Sequence, residues 1–365
     1  MGRRVVAVLI GCAAVVTACS SPAGTRDDGR TASAAAAPST EPYVVLTGPQ
    51  SGWAVVPSGA AWVLLSTDDG FRHVQNATPP GVPTDGGLVV AEGGNVLAVV
   101  VGPVERLVRS PLLTRAGTGP WAPGQLPGRV VDSSTAVALR PTGTSVLTTD
   151  HGGMLLTSTD AGWRSLVDVP ALPGGSGLTL DGVTWAGDAL GWVTGHRATG
   201  GAVAFQTGDA GRTWTAVPTT GASAVAALAP CGRASTWSLP ELDSSGRLEV
   251  LRTTDAGGTW AAGDPLPASS GRPVVGCSGA EIWATGGSGT RARIYASSDA
   301  GATWAARGPV PAGLTALTPT GPADGYAAGT GRSPTLWRVT GSGRTFTPIA
   351  LPRWLATVGA ATGED

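Results

Sequence analysis

Between residues 42 and 350 the apolar positions come in short runs, and the runs come in fours. From Gly177 to Val217 they read "GLTLDGVTWAG", "LGWVTGH", "GAVAFQTGD" and "RTWTAV". Each run is too short for a helix, is rich in Val, Thr and Trp, and is bounded by Gly, Asp or Pro, which is the signature of strands joined by tight turns. No stretch carries the 3.6-residue period that would place a helix among them. The pattern predicts an inner strand, two middle strands and an outer strand, with the same order repeated along the chain. An aromatic marks the second strand of most repeats: Trp53, Trp192, Trp237, Trp283 and Tyr326. Such a series can read as a carbohydrate platform, but its strand position favours packing between neighbouring sheets.

Between the third and fourth strands sits a recurring octet. "TGDAGRTW" starts at Thr207, "TTDAGGTW" at Thr253 and "SSDAGATW" at Ser297. Weaker copies are "STDDGFRH" at Ser66, "TRAGTGPW" at Thr114, "STDAGWRS" at Ser158 and "VTGSGRTF" at Val339. The spacings run from 42 to 49 residues, the period of four-stranded propeller blades. Asp accepts hydrogen bonds from nearby backbone N–H groups and Gly takes positive φ, so the octet is turn chemistry. The predicted structural residues are Asp68, Asp160, Asp209, Asp255 and Asp299, with Gly211, Gly257 and Gly301 in the turns and Trp214, Trp260 and Trp304 opening the outer strands. A catalytic carboxylate is needed once; a turn residue is needed at every turn.

The octet Ser/Thr-x-Asp-x-Gly-x-Thr-Trp resembles the Asp-box, or bacterial neuraminidase repeat, over about residues 42–350. The box occurs in sialidases, sortilin-type receptors and photosystem II assembly factors. The resemblance implies an all-β fold: a seven-bladed β-propeller of four-stranded antiparallel blades with Asp-box turns. It says little about function, because this scaffold carries unrelated activities. A sialidase requires an arginine triad, a Tyr nucleophile activated by Glu, and an Asp acid/base. The Arg-Ile-Pro tripeptide of that family is absent, and the only tyrosines are Tyr43, Tyr295 and Tyr326, none with a convincingly placed Glu.

The N-terminus reads "MGRRVVAVLIGCAAVVTACSSPAG", a basic start followed by an apolar core too short to span a bilayer. "VTAC" resembles a bacterial lipobox, which makes residues 1–18 a lipoprotein signal peptide and Cys19 the acylated N-terminus; an ordinary signal peptide is the alternative. Residues 19–41 read as a Ser/Ala/Pro-rich tether, residues 42–357 as the propeller and residues 358–365 as a tail. The expectation is export and lipid anchoring to the outer face of the cell membrane, where two acyl chains hold what one holds only marginally. Every one of the 24 basic residues is Arg, which points to a high-GC, actinobacterial genome. Removing residues 1–18 leaves 22 Arg against 25 acidic residues, a balance that argues against nucleic-acid binding. Closure of the ring is open between "YVVLTG" at Tyr43 and "LATVGAA" at Leu355, with the N-terminal strand favoured.

Charged residues gather in the hairpins between second and third strands, on the face opposite the Asp-box turns. They are Asp150, His151, His196, Arg197, Glu241, Asp243, Arg247, Arg291, Arg293 and Arg332. This is the candidate ligand face, against the plainer reading of a solvated rim. His73, His151 and His196 fall in separate repeats, so no metal site is expected, and no cofactor motif is present. Cys231 and Cys277 lie 46 residues apart, each six before a second-strand Trp. Equivalent positions on adjacent inner strands predict a disulfide in an oxidising compartment, with two separate buried thiols as the alternative. The functional expectation is a monomeric, non-catalytic binding or assembly module for a protein or glycan, or alternatively a degenerate sialidase-like glycoside hydrolase.

Overall fold

A computed structural model describes residues 42–356, apart from 47–49, 60, 83, 85–86, 94–95, 102–108, 118, 127–135, 141–142, 149–153, 160–161, 169–170, 176, 220–223, 228–229, 234 and 331–334. Every sheet is antiparallel and built from consecutive strands. In chain order we label them sheet A (43–76), B (88–125), C (136–168), D (178–216), E (224–262), F (275–309) and G (314–349). Neighbouring sheets pack through their inner strands, except that the inner strand of E packs on the second and third strands of D, and the inner strand of G packs on that of A, so the arrangement is a closed β-propeller.

The expected uniform set of seven four-stranded blades needs correction: among the described residues six sheets are four-stranded, and sheet E has five strands. Its inner position is split into Ala224–Ala227 and Cys231–Arg233, which both pair with Thr236–Asp243. The Pro230 that precedes the second piece has no N–H to continue a ladder. The inner strand of sheet A is Tyr43–Leu46, while Leu355 lies in a 3-10 helix, Arg353–Ala356. The inner slot thus goes to the N-terminal segment.

The core is divided among the interfaces between sheets. Val183, Trp185, Val193 and Phe205 of sheet D pack with Ala136 and Leu155 of sheet C, while Trp192, Ala202 and Ala204, from the other face of D, pack with Trp237 and Leu239 of E. Alternation along each strand feeds both faces, because both are buried. Trp192, Trp237 and Trp283 are fully buried, which removes the carbohydrate-platform reading for these rings.

One second strand is out of step. Trp192 sits opposite Gln206 and Trp283 opposite Ala296, each one residue short of the box Thr or Ser, whereas Trp237 sits opposite the box Thr253 itself. A one-residue shift turns a side chain to the other face. Trp192 therefore points forward to sheet E and Trp237 back to sheet D, and their rings meet at 4.2 Å.

The same shift governs the cysteines. Cys231 faces Ser238 and Cys277 faces Ile282, so the two are not equivalent, contrary to the spacing argument. Ser238 points forward, donating its hydroxyl to Ala300 O of sheet F at 3.0 Å. Cys277 shares a face with Val275, which packs back against Leu242 and Leu248 of sheet E. The thiols consequently face one another across the interface and form a disulfide with Cα atoms 6.2 Å apart. Two truly equivalent cysteines would both have pointed the same way.

Candidate binding face

The two ends of the ring have different chemistry. At one end lie the box turns, where the Thr207 hydroxyl donates to Asp209 Oδ1 at 2.8 Å and accepts from the N–H of Gly211. Asp209 in turn accepts from the N–H groups of Arg212 and Thr213 and from the Thr213 hydroxyl. Thr253–Asp255 and Ser297–Asp299 repeat the arrangement. The N–H and then the hydroxyl of Thr213 hold the Asp209 carboxyl down at about 2. These groups are saturated by their own turn, so the carboxylates are structural.

Each turn also grips the preceding sheet. Residues Ala210, Ala256 and Ala300 adopt positive φ, and their carbonyls accept from Arg140, Gln206 and Ser238 respectively. Trp214, Trp260 and Trp304 are half-buried at the outer edge, where the Trp304 indole N–H donates to Asp264 O, just past the outer strand of sheet E, at 2.9 Å.

Two box frames need correction. In sheet A the bonding carboxylate is Asp69, not Asp68: the Thr67 hydroxyl donates to Asp69 Oδ1, and Asp68 is exposed. The frame moves by one residue and puts Phe71, with φ 62°, where other turns have Gly. In sheet B, Thr114 pairs with Ala122, which places Arg115 at the box position, with its guanidinium 4.7 Å from the Trp53 ring and 5.0 Å from Trp121. A cation between two indoles replaces the Asp network there. Asp160 lies outside the described residues.

At the other end the hairpins carry the candidate charges. Asp150, His151, Arg332 and Cys19 lie outside the described residues. Arg197, Arg247 and Arg291 are exposed, Arg293 and Asp243 are half-buried, and Glu241 is buried. Asp243 and Arg247 belong to one turn: Asp243 accepts from the Ser245 hydroxyl and N–H, and from Arg247 N and Nε, the last at 2.9 Å. The Ser245 hydroxyl, with the Arg247 bonds, holds the Asp243 carboxyl far below the usual carboxylate range. Arg293 donates to Thr290 O and Ala292 O of its own hairpin, and Arg197 donates to Gly174 O. These residues share an end of the ring without forming one network.

The pair that stands apart is His196 with Asp181, Nδ1 to Oδ2 at 2.7 Å, both partly exposed. Asp181 is not among the residues expected on this face. It interrupts the innermost strand Leu178–Ala186 at a bulge between Leu180 and Gly182, and such irregularities re-aim side chains beside functional sites. The signal was there, as the one charge in "GLTLDGVTWAG". Glu241, from the back face of sheet E, and His196, from the forward face of D, border the same interface. Among the described residues no group of three or more His, Cys, Asp or Glu is placed to hold a metal ion.

The tyrosines are taken up by packing. The Tyr43 hydroxyl donates to Leu88 O and accepts from Val90 N, bridging sheets A and B, and burial pushes its pKa up. Tyr326 is buried edge-on against Phe71 with ring centroids 5.2 Å apart, and burial raises its pKa as well. A nucleophilic phenol needs the opposite shift.

No protein-family model matches the sequence, and a search of curated proteins found no match. Solved structures are similar in fold. YCF48 bound to D1 peptide superposes with a TM-score of 0.52 at 18% identity, over 84% of this chain and 93% of that one. YCF48 from Cyanidioschyzon merolae gives 0.53 at 18% identity, covering 83% and 96%. A prolyl endopeptidase gives 0.58 at 12% identity over 84% of this chain, which spans only 49% of that enzyme. At these identities the likeness is one of architecture. The chain is a β-propeller similar in fold to YCF48, with saturated Asp turns at one end and a charged hairpin face, which includes the Asp181–His196 pair, at the other.

Proposed function

We propose that this protein is a non-catalytic binding or assembly module, exported and held to the outer face of the membrane by lipid on Cys19, whose hairpin face takes a protein or glycan ligand. The observation that carries the reading is the contrast between the two ends of the ring. The box carboxylates are consumed by their turns, whereas the hairpin end keeps Arg197, Arg247, Arg291 and the Asp181–His196 pair open to solvent. The fold likeness to YCF48, a protein described with a bound D1 peptide, supports a protein segment as the ligand class. The inner strand of sheet A starts at the hairpin end with Tyr43.

The test combines capture from membranes of the native organism by the purified processed protein, a glycan array, and a fluorogenic sialoside assay. Capture of a defined partner or glycan that is lost on His196→Ala or Arg197→Glu, with no turnover, is the expected result. Sialoside turnover abolished by Tyr326→Phe would overturn the proposal. Anchoring is tested separately: Cys19→Ser should release the protein to the medium or block its processing, and unchanged membrane fractionation sinks the lipid reading.

A further inference from the structure

The interface between sheets D and E holds a cluster of polar atoms that no part of the binding reading uses. Thr184 and Thr194 are 0% exposed, as is Trp192. Among the described residues Thr184 Oγ1, Thr194 Oγ1 and Trp192 Nε1 have no hydrogen-bond partner. Register places all three side chains on one face. Thr184 lies directly opposite Trp192, and Thr194, two residues further along the same strand, lies opposite Gly182. That face looks to sheet E, because Trp192 packs there with Trp237 and Leu239.

Directly opposed and diagonal positions on one sheet face lie within about 7–8 Å of each other, so Thr184, Thr194 and Trp192 are neighbours on this face. Gly182 brings no side chain to it. From sheet E the strand Ala224–Ala227 packs against the second and third strands of D. Each buried hydroxyl or N–H left without a partner carries its full desolvation penalty, and three on one face burden a single interface.

We infer that this face of sheet D is an internal water-binding site, in which at least one ordered water is held by Thr184, Thr194 and Trp192 between the two sheets. The site has the two to four polar partners that such a water needs. The hydroxyls act as donor or acceptor and the indole only as donor, so together they satisfy a water from several directions. The water takes the place of the hydrophobic contact that Val at either threonine would make.

Isosteric variants give opposite outcomes for a wet and a dry site. With bound water, Thr184→Val and Thr194→Val each remove one of its partners, so each lowers the denaturation midpoint. Because both hold the same water, the double variant then loses less than the two singles added together. In a dry site each substitution deletes an unsatisfied hydroxyl at constant shape, so each raises the midpoint and the effects add; that result overturns the proposal. A crystal structure of the wild-type protein near 1.5 Å reads the site directly even if a variant fails to fold. Solvent density within hydrogen-bond reach of both hydroxyls supports it, and their direct bonding to protein groups refutes it.

Discussion

A carboxylate in a turn of seven residues can hold that turn only while it is ionised. Asp209, Asp255 and Asp69 are each drawn down to about 2, by the N–H and hydroxyl of Thr213, by the hydroxyl of Thr253, and by the N–H and ring of His73. A carboxyl depressed in the folded state gives stability that is present above its unfolded value, near 3.9, and is lost as the pH falls through the folded value. The protein is therefore expected to lose stability between about pH 4 and pH 2. Asp209→Asn should flatten that loss while lowering stability at pH 7, as urea midpoints across the range would reveal. Glycine divides the same way by position. A Cβ on Gly301, at φ 89°, would lie 2.7 Å from the Val250 Cβ of the preceding sheet, whereas one on Gly208 meets nothing within 4 Å. Gly301→Ala should cost roughly 1–3 kcal/mol through overpacking and strain, and Gly208→Ala almost nothing; equal effects of the two would contradict the staple role of the turn.

Elements add what single residues do not show. The Cys231–Cys277 bridge closes a loop of 46 residues between the inner strands of sheets E and F. Cross-linking a loop of that length is worth about 4 kcal/mol in the chain-entropy model. Cys231→Ser with Cys277→Ser should lower stability on that order, and the denatured, unreduced wild type should show no free thiol among these two. Arg115 between Trp53 and Trp121 joins sheets A and B, and Arg115→Ala should cost about 1–3 kcal/mol, with Arg115→Met recovering the part due to its stem. The box turns were legible in the sequence because Thr207, Asp209 and Thr213 bond within seven residues, and local chemistry recurs as local pattern. The staples between sheets were not, because their donors come from three different strands: Arg140 from an inner strand, Ser238 from a second and Gln206 from a third. Two adjacent acids hid which of Asp68 and Asp69 carries the turn. The step at Trp237 hid inside a spacing that varies anyway, and it decides which way Cys231 points. Of the hairpin face the sequence yields the charges, but Asp181 meets His196 only through a bulge 15 residues away.

The whole ring closes without sharing a strand between the chain ends. Sheet A is made from residues 43–76 and sheet G from 314–349, and among the described residues no strand pairing joins them. The Thr315 hydroxyl donates to Pro42 O at 2.7 Å and the Thr318 hydroxyl to Val44 O at 3.0 Å. Phe71 and Tyr326 meet edge to face across the box end. At the hairpin end the helix Arg353–Ala356 lies over the junction, with Leu355 6% exposed and its carbonyl accepting from the Ser58 hydroxyl. Leu355 joins Val44, Ala54, Val56 and Ala328 in one cluster, so a single side chain from the end of the chain touches both sheets of the seam. In a closed ring each sheet is braced on two sides, and opening costs least where no covalent crossover spans the junction. Leu355→Ala should therefore remove about 2–5 kcal/mol of packing and act first at the seam. Hydrogen exchange would locate the effect: faster exchange in Tyr43–Leu46, Gly52–Ser58 and Leu314–Pro319, with Leu190–Arg197 of sheet D unchanged, is the expected pattern. An equal acceleration in both regions would mean that the ring opens as one unit, and that the helix stabilises the whole propeller rather than latching its seam.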